Sequence, residues 1–202
     1  MSPEEARPLM EIHPKEIKGS WDVGYVLDLH TISSTMIGYN EFGHPEFDTQ
    51  RSPLGELVYR LKYKGDKSVL PSIIEAVVTF LKHLSIQPDV IIPMPPSKLQ
   101  RPYQPVIEIA SELSKGLQIP LNTTALKKMK TTPQMKDVGD LSARVAALET
   151  AFTVGRDLEG KQILLIDDLL QSGATMNVVA EILKTQGHVK AVYAIALTRT
   201  RS

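Results

Sequence analysis

The chain has 202 residues, with 23 Lys plus Arg against 23 Asp plus Glu. That length suits one domain with a sizeable core, and the even charge leaves no global field to gather nucleic acid or an anionic membrane. Cysteine is absent, which excludes disulfides, thiolate metal sites and a cysteine nucleophile.

No apolar run approaches the roughly 20 residues that cross a bilayer. The first residues, MSPEEARPLMEIHPKE, are acidic and proline-bearing and lack the apolar centre of a secretory signal. The expectation is a cytoplasmic protein with no membrane partner and no direct nucleic-acid binding.

Residues 1–20 read as a mobile arm. Trp21 to His30 alternates as a strand, and Thr31 to Tyr39 reads as a second, giving a hairpin within a small N-terminal unit over 21–53. Gly38 to Pro53 carries turn chemistry. Two helices follow. One places Leu54, Leu57, Val58 and Leu61 on a face, and the other Ile73, Ile74, Val77, Val78 and Leu81.

After Gln87 the pattern changes. Asp89 to Pro93 is a short apolar strand that stops in prolines. Gln104 to Gly116 is helical, with Gly116 as the expected C-cap. Leu121 to Leu141 is polar, lysine-rich and broken by proline, and Ser142 to Glu149 suits a short helix. Phe152 to Val154 and Ile163 to Ile166 read as strands, Thr175 to Gln186 as a helix ending at Gly187, and Ala191 to Thr198 as a last buried strand. Strands alternating with helices predict an α/β fold, a mainly parallel sheet with helices on both faces. Ligands of such sheets bind beyond the carboxyl ends of the strands.

Two strand ends carry unusual chemistry. The first is Ile163-Leu164-Leu165-Ile166 followed by Asp167-Asp168, then Leu169-Leu170, then Gln171-Ser172-Gly173-Ala174-Thr175 and a helix. Two carboxylates at the end of a buried strand belong at its exit, because burial without partners is costly. The small hydroxyl-bearing turn opens a helix, so backbone N–H groups, hydroxyls and the helix dipole converge on one anion. Acids beside a phosphate cradle suit a sugar phosphate, its hydroxyls bonded to the acids directly or through Mg²⁺. The second strand end is Pro93 to Arg101. The five histidines are scattered, with no metal-ligand spacing.

The run from Ile163 to Thr175 resembles the 5-phosphoribosyl-1-pyrophosphate motif of the type I phosphoribosyltransferases. Gln171 stands where that family usually has a small residue. Ile91 to Ala110 resembles the first strand, pyrophosphate loop and helix of the ComF-like branch; its Arg101-Pro102-Tyr103-Gln104-Pro105 keeps the Arg and the aromatic but lacks the branch's Asn-Gln pair. Leu61-Lys62-Tyr63-Lys64-Gly65-Asp66 is similar to a Leu-Lys-Tyr-x-Gly element of the same branch, and Lys127 to Gln134 to its basic stretch. The zinc ribbon that often begins ComF-like proteins is missing. The resemblance spans about residues 54 to 200, a phosphoribosyltransferase-like domain over 54–202.

The resemblance implies a transferase that takes 5-phosphoribosyl-1-pyrophosphate with Mg²⁺ and passes the phosphoribosyl group to a nitrogenous acceptor, releasing pyrophosphate. Substrate would be held by Asp167, Asp168, Gln171, Ser172, Gly173, Ala174 and Thr175, with Pro96, Ser97, Lys98 and Arg101 at the pyrophosphate loop. Asp167 and Asp168 would also serve Mg²⁺, in part through water. Lys127, Lys128 and Lys130 would sit on a loop closing over the reaction centre and act in catalysis. The acceptor is not legible; Tyr25, Tyr39 and Phe42 are aromatic candidates, each first expected in the core. A homodimer is compatible with the family. The departures at Gln171 and the Asn-Gln pair leave two other readings open, a non-catalytic sensor of the same phosphosugar and a ComF-like accessory of DNA uptake.

Overall fold

The computed structural model describes residues 10–96, 103–128 and 152–201. Five strands form the main sheet in the order β1-β2-β9-β8-β5: β1 (Lys15–Glu16), β2 (Val23–Leu29), β5 (Val90–Pro93), β8 (Gln162–Leu170) and β9 (Ala191–Arg199). β2, β9, β8 and β5 run parallel, and only β1 is antiparallel. The expected α/β architecture is therefore the one observed.

Strand alternation divides the core in two. Ile163 and Leu165 of β8, with Val192, Ala194 and Ala196 of β9, pack beneath α4 (Ala174–Thr185) through Met176, Val179 and Leu183. Leu164 and Ile166, with Tyr193, Ile195 and Leu197, pack on the other face under α1 (Pro53–Tyr59), α2 (Leu70–Lys82) and α3 (Pro105–Leu117). Both faces of β8 and β9 are covered, which is why their sequences read as continuous apolar runs.

The N-terminal region differs from the expected hairpin of Trp21–His30 with Thr31–Tyr39. β2 joins the main sheet, with Val23 opposite Tyr193 and Leu29 opposite Arg199. The hairpin is instead β3 (Ser33–Tyr39), within the expected second strand, with β4 (Pro45–Gln50), inside the stretch expected to be loop. Val26, Leu27 and Asp28 are consecutive and all buried, as a strand covered on both faces requires. β3 is mostly exposed. Asn40 forms the hairpin turn, its Oδ1 accepting from the Phe42 and His44 N–H groups at 3.0 and 2.9 Å, and Gly43 takes φ 74°.

Residues 10–20 are anchored rather than a free arm. β1 pairs with β2, Trp21 Nε1 donates to the Ile17 carbonyl at 2.8 Å, and Ser20 N–H donates to Asn177 Oδ1 at 2.7 Å. α3 ends at Leu117 with Gln118 in the left-handed cap, not at Gly116. A Cβ on Gly116 would meet Ile74 and Val78, so Gly116 faces α2 instead. The short helix expected over Ser142–Glu149 lies outside the described residues. β6 (Leu126–Lys128) pairs antiparallel with β7 (Phe152–Val154). Among the described residues no helix is long and apolar enough to cross a membrane.

Candidate active site

β8 runs four residues beyond the apolar segment, so Asp167 and Asp168 lie within the strand and not after it. Successive strand side chains leave on opposite sides, and the two acids meet different surroundings. Asp168 is buried and faces Lys62, whose Nζ donates to Oδ1 at 2.8 Å, with side-chain exposures of 15% and 9%. Asp167 makes no ion pair among the described residues. Its Oδ1 accepts from the Asp168 N–H at 2.9 Å. Burial, then the neighbouring Asp168 charge, push its carboxyl up from 3.8 to about 7, and Lys62 only partly offsets this.

Both acids open onto one cleft of about 440 Å³ at the carboxyl end of the sheet. Of the residues expected there, Pro96, Asp167, Asp168, Gln171, Ser172, Gly173 and Thr175 line it. Ala174 begins α4 behind the turn. Lys127 and Lys128 lie on β6, a paired strand and not the expected loop, while Ser97, Lys98, Arg101 and Lys130 lie outside the described residues.

The turn between β8 and α4 has the chemistry of an anion cradle. Gly173 caps α4 at φ 75° and brings no capping side chain, and no acid lies in the first helical turn. The leading N–H groups have no intrahelical acceptor; that of Ala174 donates to Ser172 Oγ at 3.4 Å, and the rest leave the positive end of the helix dipole for a ligand. A Cβ on Gly173 would meet only Leu170, at 3.8 Å. Glycine is therefore required here by the left-handed backbone and not by lack of room.

Several residues around the acids carry no role in the sequence reading. Lys62 lies on a π-helical turn, Arg60–Lys64, that continues α1. The π form widens the helix by one residue per turn and is frequent at functional sites. It is held by Arg60 on Asp66, with Nη2–Oδ2 at 2.6 Å and Nε–Oδ2 at 3.0 Å. It is also held by buried Leu61, whose carbonyl accepts from Tyr103 Oη. The signal was present, since Leu61 to Asp66 stands out as a motif; its position against Asp168 was not.

Behind the acids, Thr198 Oγ1 donates to the Asp168 carbonyl at 3.0 Å. That hydrogen being used, His30 Nδ1, at 3.2 Å, is the donor toward Thr198. His30 is pushed below its usual 6.5, first by burial and then by the Arg51 and Lys62 charges. Of the aromatic candidates, Tyr25 packs edge-on against Phe80 at 5.2 Å. Tyr39 and Phe42 are 69% and 75% exposed on the hairpin and are not core.

Among the described residues no cluster of three or more His, Cys, Asp or Glu could cage a metal. A hard cation that keeps waters and uses one or two carboxylates with ligand phosphates fits the pair better. Asp168 is already paired with Lys62 and Asp167 has no ion pair among the described residues, so Asp167 is the carboxylate that could hold such a cation.

Residues 106–201 match the family model described as phosphoribosyl transferase domain. No curated protein matches the chain. Similar solved structures include adenine phosphoribosyltransferase from Saccharomyces cerevisiae, at 11% identity over 82% of this chain and 85% of that one, with TM-score 0.46. The Trypanosoma brucei enzyme, solved with AMP, pyrophosphate and ribose-5-phosphate, is 10% identical over 95% and 86%, with TM-score 0.49. The Leishmania tarentolae enzyme is 15% identical over 92% and 97%, with TM-score 0.41. The family match takes in the acidic strand end, the glycine turn and the helix that line the cleft.

Proposed function

We propose that the protein is a phosphoribosyltransferase that binds 5-phosphoribosyl-1-pyrophosphate in the β8–α4 cleft and transfers its phosphoribosyl group to a nitrogen acceptor. The observation that carries this reading is the opening of two carboxylates and the glycine-capped N-terminus of α4 onto one cleft. The donor has a 5-phosphate for the turn Gln171–Thr175, ribose hydroxyls for Asp167 and Asp168, and a diphosphate for the opposite wall. Pro95 and Pro96 form part of that wall, and Ser97, Lys98 and Arg101 follow in sequence. The folded Leu61–Asp66 turn on this cleft favours the ComF-like branch.

In the reaction the acceptor nitrogen bonds to ribose C1 as the C1–O bond to pyrophosphate breaks, and the electron pair leaves with pyrophosphate. Asp167 and Asp168 orient the ribose and are not nucleophiles. The α4 N-terminus fixes the 5-phosphate, so that C1 is presented at a set depth in the cleft. Mg²⁺, held by Asp167 and the donor's own oxygens, would supply positive charge to the diphosphate. Lys127, Lys128 and Lys130 are assigned the same electrostatic task; one well-placed donor of this kind contributes roughly 3 kcal/mol.

Calorimetry with 5-phosphoribosyl-1-pyrophosphate and Mg²⁺ tests the donor, and a pyrophosphate-release assay over a panel of bases and amines tests transfer. Saturable binding, lost in Asp167→Asn/Asp168→Asn, is expected. Equal binding by that double variant would move the site elsewhere, and binding with no release over the panel would make the protein a sensor.

A further inference from the structure

Lys62 is the cleft-lining cation that the sequence reading left without a role. Its position is expensive to maintain. It sits on a π turn, which is a rare backbone form, held by the Arg60–Asp66 pair, the Tyr103–Leu61 bond and the buried Leu61 side chain. A lysine needed only to neutralise Asp168 could reach it from an ordinary helix on its long flexible stem.

Its hydrogen-bond capacity is also unspent. An ammonium has three N–H donors, and among the described residues Lys62 uses one, on Asp168. With the side chain 15% exposed, bulk water reaches it little, so the other donors must find acceptors inside the cleft. That cleft also holds Asp167, Pro95, Pro96 and the start of α4. The 5-phosphate has its own cradle at α4, which leaves the diphosphate for Lys62, the one cation among the described residues that line the cleft.

We propose that Lys62 contacts the donor directly, its ammonium bridging Asp168 and the diphosphate. This rests on the donor reading above and adds a residue to it. One ammonium hydrogen keeps Asp168 turned toward the ribose. Another donates to a diphosphate oxygen. As the C1–O bond breaks, its electron pair passes to that leaving group, whose negative charge rises, and the bond from Lys62 strengthens with it. Lys62 thus couples the acid that orients the sugar to the group that departs.

The test uses three probes by calorimetry with Mg²⁺: 5-phosphoribosyl-1-pyrophosphate, inorganic pyrophosphate and ribose 5-phosphate. Pyrophosphate has no ribose and cannot report on Asp168. Lys62→Gln is expected to weaken the donor and pyrophosphate by about tenfold to a hundredfold and ribose 5-phosphate by less than about threefold. Removing the cation leaves Asp168 buried and alone, which can unfold the protein. The same comparison is therefore made between Asp168→Asn and Lys62→Gln/Asp168→Asn, where no charge is stranded. The second variant should again lose pyrophosphate relative to the first. Pyrophosphate affinity unchanged by loss of Lys62 in either background overturns the direct contact and leaves Lys62 as a support for Asp168. Wild-type protein that binds none of the three probes removes the donor reading itself, and this contact with it.

Discussion

Thr198 and Asp168 stand on adjacent parallel strands, and the Thr198 hydroxyl donates across the ladder to the Asp168 carbonyl at 3.0 Å. Both residues are buried, so the bond has no water to replace it. Thr198→Val keeps the shape and removes the hydroxyl, stranding that carbonyl and the His30 Nδ1–H together. Urea unfolding should show a loss of about 1–3 kcal/mol. Calorimetry should show weaker donor binding, because the acid's backbone loses its support. Thr198→Ser should recover most of both; a serine variant as impaired as the valine would point to packing.

Asp167 sets a pH dependence. Its carboxyl is held at about 7 against 3.8 in the unfolded chain. Between those values the folded protein keeps a proton that the unfolded chain has released, so stability falls as pH rises through this window. The contribution is fully present below the unfolded value and gone above the folded one. Asp167→Asn should therefore be more stable than wild type near pH 7.5, with the gap closing toward pH 4 in denaturant titrations. Parallel pH profiles for the two proteins would refute the assignment.

Mg²⁺ together with pyrophosphate should flatten that slope. A cation beside Asp167 favours its ionised form and draws the proton off at lower pH. Proton release on adding both ligands near pH 6, measured by calorimetry in buffers of different ionisation heat, should be larger for the wild type than for Asp167→Asn, the difference being the proton that Asp167 gives up.

The cradle makes a sharper mutational prediction. Thr175→Glu should abolish ribose 5-phosphate binding while the protein stays folded, because a carboxylate would then stand where the phosphate binds. Gly173→Ala should cost about 1–2 kcal/mol through the left-handed backbone alone, since the space beside it is free. A Thr175→Glu variant with wild-type affinity places the phosphate elsewhere.

The β3–β4 hairpin should contribute little to global stability. Met36 and Phe47 face each other across it, and both are about half exposed. Met36→Ser/Phe47→Ser is expected to change unfolding free energy by less than about 1 kcal/mol, whereas Leu164→Ala, in the closed core, should cost about 2–5 kcal/mol.

The sequence alone determined the parts of this protein whose cause is local. Ile163 to Ile166 is apolar at every position because β8 is covered on both faces, and Asp167, Asp168 and Gly173 follow it in the order acid pair, glycine turn, helix. The alternation of strands and helices after Gln87 carried the parallel sheet. Only the tertiary structure decided what depends on partners distant in the chain. β2 reads the same whether it pairs with its sequence neighbour or with β9, and the burial of Val26, Leu27 and Asp28 on both faces selects β9. Asn40 and Gly43 shape the hairpin locally, yet β4 was hidden because its exposed residues have no apolar face to announce a strand. Lys62 and Asp168 are 106 positions apart, and His30 and Thr198 are 168 apart. No spacing rule joins such residues. They meet because parallel strands all end at the same edge of the sheet, and the chain that returns there after each crossover brings its polar side chains to one place.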